Sequence, residues 1–143
     1  MISRSELDEV DALWIATDCA GHVAVFTTGG KGPLPDSALA SIEAIEQLVI
    51  DDLPVISRAD LRHSMPRPDD YIAFASRGLF AYDWSDVHRT AAAAIHGYEL
   101  QAKPSQPITL SQLPEPLHAM ATSTVIAGVV FGVSVIPGSK LGT

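Results

Sequence analysis

The segment TTGGKGPLPDS, residues 27–37, has the layout that phosphate binding asks for: a strand-like run enters a glycine-rich loop carrying Lys31, and a helix opens at Asp36. Backbone N–H groups in such a loop, and at a helix start, favour an anion. The details oppose that use. A phosphate loop sets its lysine and a hydroxyl residue directly after the last glycine. Here Pro33 and Pro35 intervene, and Asp36 puts a negative charge where a phosphate would sit, so a structural turn is the better reading. The densest polar group is Asp83, Asp86 and His88 in YDWSDVH. Two carboxylates and one imidazole make a sparse ligand set for a metal, and a solvated loop after a strand accounts for the same residues. The histidines, His22, His63, His88, His96 and His118, form no H-E-x-x-H pair. Cys19 stands beside Asp18, which opposes a thiolate, with His22 the one nearby base. No G-x-S-x-G nucleophile turn is present. A single cysteine excludes an internal disulfide and a zinc site built on paired cysteines. The expectation is a binding protein that is not an enzyme and uses no metal or cofactor.

The elements that would position these residues begin with a short helix expected over 5–10, capped by Ser5 with Asp8 at capping-box spacing. Residues 12–17 and 22–27 read as an antiparallel hairpin around the turn residues Asp18 and Gly21. Trp14, Ala16, Val23 and Val25 are taken to share one face, with the register itself not readable. Asp36 caps the most secure helix, whose apolar positions Leu39, Ile42, Ile45 and Val49 recur at helical spacing and which Asp51, Asp52 and Pro54 end. The run 57–60 resembles a second capping box, and Pro66 and Pro68 then interrupt regular structure. A second hairpin is expected from 71–75 and 79–83 through Gly78, followed by a mixed segment over 84–95 in which four alanines favour helix. A strand over 98–102 and a helix over 114–122 with Pro116 in its first turn come next. The apolar run 124–136 reads as a buried strand, bent or divided at Gly128 or Gly132, and the tail after it is expected to fray. Hairpins with few, segregated helices point to a single α+β domain over 1–143: one mostly antiparallel sheet with two or three helices packed against it.

Composition agrees with a packed core, at 47% hydrophobic and 18% charged residues in a chain of 143. The longest apolar run is about 13 residues, short of the roughly 20 a membrane helix needs. Acids where a signal peptide would be apolar, and one free thiol, suit a cytoplasmic protein. The net charge of −8 is uneven: residues 1–70 carry 13 acids and 5 bases, and residues 71–143 carry 4 of each. Such a field repels nucleic acid and draws in a basic partner.

In WIATDCAGHVAVFTTGGKGPLP, residues 14–35, and YIAFASRGLFAYDW, residues 71–84, the chain resembles small bacterial immunity proteins of contact-dependent and other polymorphic toxin systems. The likeness covers about a quarter of the chain and lies in general features, namely short hairpins, a G-x-G-P loop and acidic charge. It implies a cytoplasmic protein that binds and blocks a cognate toxin without a reaction of its own. Asp36, Glu43, Glu46, Asp51 and Asp52, on or beside one helix, are the expected contact residues for a basic toxin. The rival expectation is a small ligand-binding or enzymatic domain using Asp83, Asp86 and His88.

Overall fold

β1 (Leu13–Asp18) and β2 (Val23–Thr27) form the expected antiparallel hairpin, with Trp14 opposite Phe26 and Ile15 opposite Val25. This computed structural model describes residues 11–30, 32–62, 68–84 and 96–141, so the expected helix over 5–10 and most of the mixed segment 84–95 lie outside the described residues. The hairpin register corrects the facial assignment. Trp14 and Ala16 share a face with Ala24 and Phe26, whereas Val23 and Val25 lie with Ile15 on the other. Both faces are buried, so the strands are apolar throughout and alternation carries no sign of which side is which.

After β2 the chain runs through a 3-10 turn (Asp36–Ser41), α1 (Ile45–Asp52), the short strand β3 (Ala59–Leu61) and α2 (Asp69–Ala75) before β4 (Phe80–Trp84). The expected single helix is therefore broken. Its first half packs Ala38, Leu39 and Ile42 into one core layer, and its second half packs Ile45 and Val49 into the other. One straight helix cannot present one stripe to both layers. Asp36 is the first residue of the 3-10 turn and not a cap; Pro35 holds that position without a side-chain bond. The expected capping box at 57–60 is likewise a strand start, because Ser57 bonds across to Ser105 instead of to a following turn.

Residues 71–75 are helical, not the first arm of a hairpin. Asp69 and Asp70 favour a helix start, and Tyr71, Phe74 and Ala75 present one helical stripe to the core. This correction changes the sheet. A long crossover through α1, β3 and α2 brings β4 beside β2 in parallel, where a hairpin would have given an antiparallel neighbour. The order among the described residues is β3-β5-β4-β2-β1-β6, with β5 spanning Gly97–Pro104 and β6 Val125–Ile126. β6 also pairs in parallel, with β1, while β4, β3 and β7 (Val135–Pro137) all run antiparallel to β5. The α+β class holds, and the sheet is mixed rather than mostly antiparallel.

The last helix is α3 (Leu117–Thr122), shorter than expected, with Pro116 just ahead of it. The apolar run 124–136 divides into β6 and β7 with both Gly128 and Gly132 at positive φ between them, and Val125, Val130 and Val133 are exposed. The tail is ordered through a 3-10 turn at Gly138–Leu141, where Leu141 is buried. Two core layers flank the sheet. One is aromatic, built on Trp14 stacked against Phe26 at 4.1 Å and Phe26 against Tyr82 at 5.3 Å. The other is aliphatic, where Ile45, Val49, Phe74, Leu117 and Ala121 of the three helices cover Ile15, Val23 and Val25. The aromatics of this layer thus serve the core.

Candidate functional site

Glu43 lies in the turn before α1, Glu46 in its first helical turn, and Asp51 and Asp52 in its last. All four, and Asp36, are exposed. The structure does not gather the five into one cluster. Asp36 sits at the far end of the segment, at a hollow of about 350 Å³ with Thr124 and Val125. Glu46 turns toward a smaller hollow of about 110 Å³ shared with Asp11 and Asp70. Asp51, which accepts a 2.7 Å hydrogen bond from Gln47 Nε2, is roughly 140° further around the axis at 3.6 residues per turn. Asp51 and Asp52 stand at the helix end where the macrodipole disfavours anions, with no base in that turn. Arg77 offsets them from outside: its Nε donates to Leu53 O at 3.1 Å and its Nη1 to Ala73 O at 2.9 Å, joining the ends of α1 and α2.

Beside these acids lie apolar side chains that sequence reasoning misses. Ile50, Val55, Ile56 and Ile72 are 39%, 64%, 42% and 38% exposed. They come from the last turn of α1, its exit loop and α2, held together because the N–H groups of Ile56 and Ser57 both donate to Ser76 O. Asp51 and Asp52 follow Ile50 in the last turn of α1, and Asp69 and Asp70 open α2, the helix that carries Ile72. The signal available in sequence is LPVIS, three apolar residues around a proline with no polar partner in step.

The residues whose types suggest chemistry are occupied structurally. Gly29 N–H donates to Asp11 Oδ1 at 2.8 Å, Gly30 N–H to Thr28 Oγ1 at 3.2 Å and Gly32 N–H to Thr28 O at 2.8 Å. Those donors are turned inward, so the loop is the structural turn its prolines suggested. Cys19 is exposed and its Sγ contacts Val129 O at 3.3 Å, while His22 Nδ1 faces Asp18 Oδ2 at 3.6 Å. Asp83 is half-buried at the end of β4 and accepts a hydrogen bond of 2.5 Å from Thr27 Oγ1; Asp86 and His88 lie outside the described residues. Among the described residues no three His, Cys, Asp or Glu side chains are placed to hold a metal. None of their helices is long and apolar enough to cross a membrane.

No family model, curated protein or solved structure matches the chain. The geometry of the apolar surface on α1 and α2 is therefore what speaks to function.

Proposed function

We propose that the chain is a non-catalytic protein-binding domain that neutralises a basic partner, in the manner of a bacterial immunity protein. The observation that carries this reading is the exposure of Ile50, Val55, Ile56 and Ile72 beside Asp51, Asp52, Asp69 and Asp70. Exposed apolar side chains supply the desolvation that drives association, and a charged rim supplies selection and encounter rate. The four carboxylates on the two helices that carry Ile50 and Ile72 select a partner that presents lysine and arginine. The unfavourable seat of Asp51 and Asp52 at the end of α1 fits a contact role, since both would serve helix stability better elsewhere.

The test uses the product of the reading frame adjacent to this one, titrated by calorimetry against the purified chain. The expected result is tight binding that falls by about tenfold as salt rises from low to physiological strength, because rim charges act through encounter. Val55→Asp with Ile56→Asp abolishes binding, and changing Asp51, Asp52, Asp69 and Asp70 to asparagine weakens it and removes most of the salt dependence. Binding left unchanged by both sets of substitutions overturns the assignment of this face. A partner product that is acidic, or that does not bind, overturns the reading itself.

A further inference from the structure

Apart from that face, β3 and the end of β5 open a groove of about 740 Å³. Its lining includes Arg58, Lys103 and Asp60 with the exposed Pro107, and it reaches down to Phe80 and Phe131, which are 5% and 4% exposed. The setting of these cations is unusual. The chain carries a net −8, yet of the five lysines and arginines among the described residues three belong to this corner, Arg58, Arg62 and Lys103. Residues 58, 60 and 62 alternate onto one side of β3, and Lys103 is the cross-strand neighbour of Asp60. Asp60 is held by Arg62 at 3.5 Å, and no ion pair engages Arg58 or Lys103 among the described residues. The corner therefore carries a local excess of positive charge in an acidic protein.

The two strands are clasped there by side chains. Ser105 N–H donates to Arg58 O at 2.9 Å, Arg58 N–H to Ser105 Oγ at 2.9 Å and Gln106 N–H to Ser57 Oγ at 2.9 Å. The clasp fixes the backbone that bears Arg58 against the strand end that bears Lys103, so both side chains start from fixed points on the same edge of the groove. Gly132 contributes to another wall, exposed and without a side chain to narrow the opening.

We propose that this groove binds a small molecule that joins an anionic group, phosphate or carboxylate, to a flat ring. Arg58 and Lys103 take the anion, and the ring lies on Pro107 and the edges of Phe80 and Phe131 that reach the groove. The volume lies in the range of small-ligand sites. Distant carboxylates are screened beyond about 8 Å at physiological salt, so the local cations decide for a small anion, while a nucleic-acid polyanion would span into the acidic face. The groove shares no lining residue with the apolar surface on α1 and α2, which it adjoins through Ser57, and does not depend on the protein-binding reading.

Amide chemical-shift titration of the full chain tests it with four probes: adenosine 5′-monophosphate, indole-3-acetate, inorganic phosphate and adenosine. The expected result is that at least one of the two ring-bearing anions shifts the amides of Arg58, Lys103, Ser105 and Gly132, and binds about tenfold or more tightly than phosphate or adenosine alone. Which of the two binds distinguishes phosphate from carboxylate. Arg58→Gln with Lys103→Gln, both exposed and so expected to leave the melting temperature unchanged, weakens that binding by about tenfold or more. Absence of shifts with either ring-bearing anion up to about 5 mM, shifts that map elsewhere, or undiminished binding by the folded double variant overturns the proposal.

Discussion

Asp18 is a buried carboxylate that works as a structural hub. Its Oδ1 accepts hydrogen bonds from the Ala20 and His22 N–H groups, both at 2.9 Å, closing the β1–β2 turn. Its Oδ2 accepts one from Phe131 N–H at 2.7 Å, fastening the loop between β6 and β7 to the hairpin 113 residues away in sequence. The residue whose place beside Cys19 opposes thiolate chemistry thus has a positive role in folding. Asp18→Ala leaves these donors without an acceptor and lowers stability by about 3 kcal/mol in urea unfolding, and Asp18→Asn by about half as much. Two tyrosines tie the aromatic layer in the same way. Tyr98 OH accepts from Trp14 Nε1 and donates to Pro33 O, and Tyr82 OH accepts from Gly132 N–H and donates to Val133 O. Burial raises both phenols well above their ordinary pKa near 10. The folded chain then keeps protons that the unfolded chain releases above about pH 10, so stability is full below that pH and falls as pH rises beyond it. Urea midpoints measured at about pH 8 and about pH 11 should show the fall, and Tyr82→Phe or Tyr98→Phe should make it shallower while lowering stability near neutrality.

At the scale of elements, the junction from α2 into β4 decides the sheet. Gly78 sits there at φ +91°, and a Cβ on it would meet Ile108 Cγ2 at 2.6 Å and Ile108 N at 3.1 Å. That close approach lets Ile108 N–H donate to Gly78 O at 3.0 Å, which pins the stretch after β5 beneath the helix. Gly78→Ala therefore suffers both an unfavourable backbone conformation and a clash with backbone, and should lower stability by about 2–3 kcal/mol in thermal unfolding monitored by circular dichroism. Gly78 is legible in sequence as a positive-φ turn. What precedes it is not, because YIAFA fits a short alternating strand as well as it fits a helical stripe of Tyr71, Phe74 and Ala75. A similar ambiguity hides the break in the 36–50 helix: its apolar spacing is helical, while its division between two core layers leaves no mark in the spacing.

For the whole molecule, opposite charges gather at different places. The acids of α1 and of the α2 start share those helices with the exposed Ile50 and Ile72, whereas Arg58, Arg62 and Lys103 collect along β3 and β5 at the sheet edge. By count, the whole charge excess falls in the first 70 residues. The count does not show that Arg58 and Arg62, within that acidic half, join Lys103 from the balanced half. A competition measurement separates the two places: a ring-bearing anion in the groove should leave partner titration unchanged, since no described residue belongs to both surfaces.

By itself the sequence determined the α+β class, the β1–β2 hairpin, the end of α1 at Asp51 and Asp52, and the strand over 98–102. These rest on local signals: turn residues, helical periodicity, and prolines at fixed positions. It also named the five acids, Asp36, Glu43, Glu46, Asp51 and Asp52, as exposed, which charge alone makes the default. Only the tertiary structure decided that the sheet is mixed, that those acids do not form one cluster, and that Ile50, Val55, Ile56 and Ile72 stay exposed. Which apolar residues remain uncovered depends on which elements pack over them. In a chain whose strands are buried on both faces, that information is carried by contacts between distant segments and not by the order of neighbours.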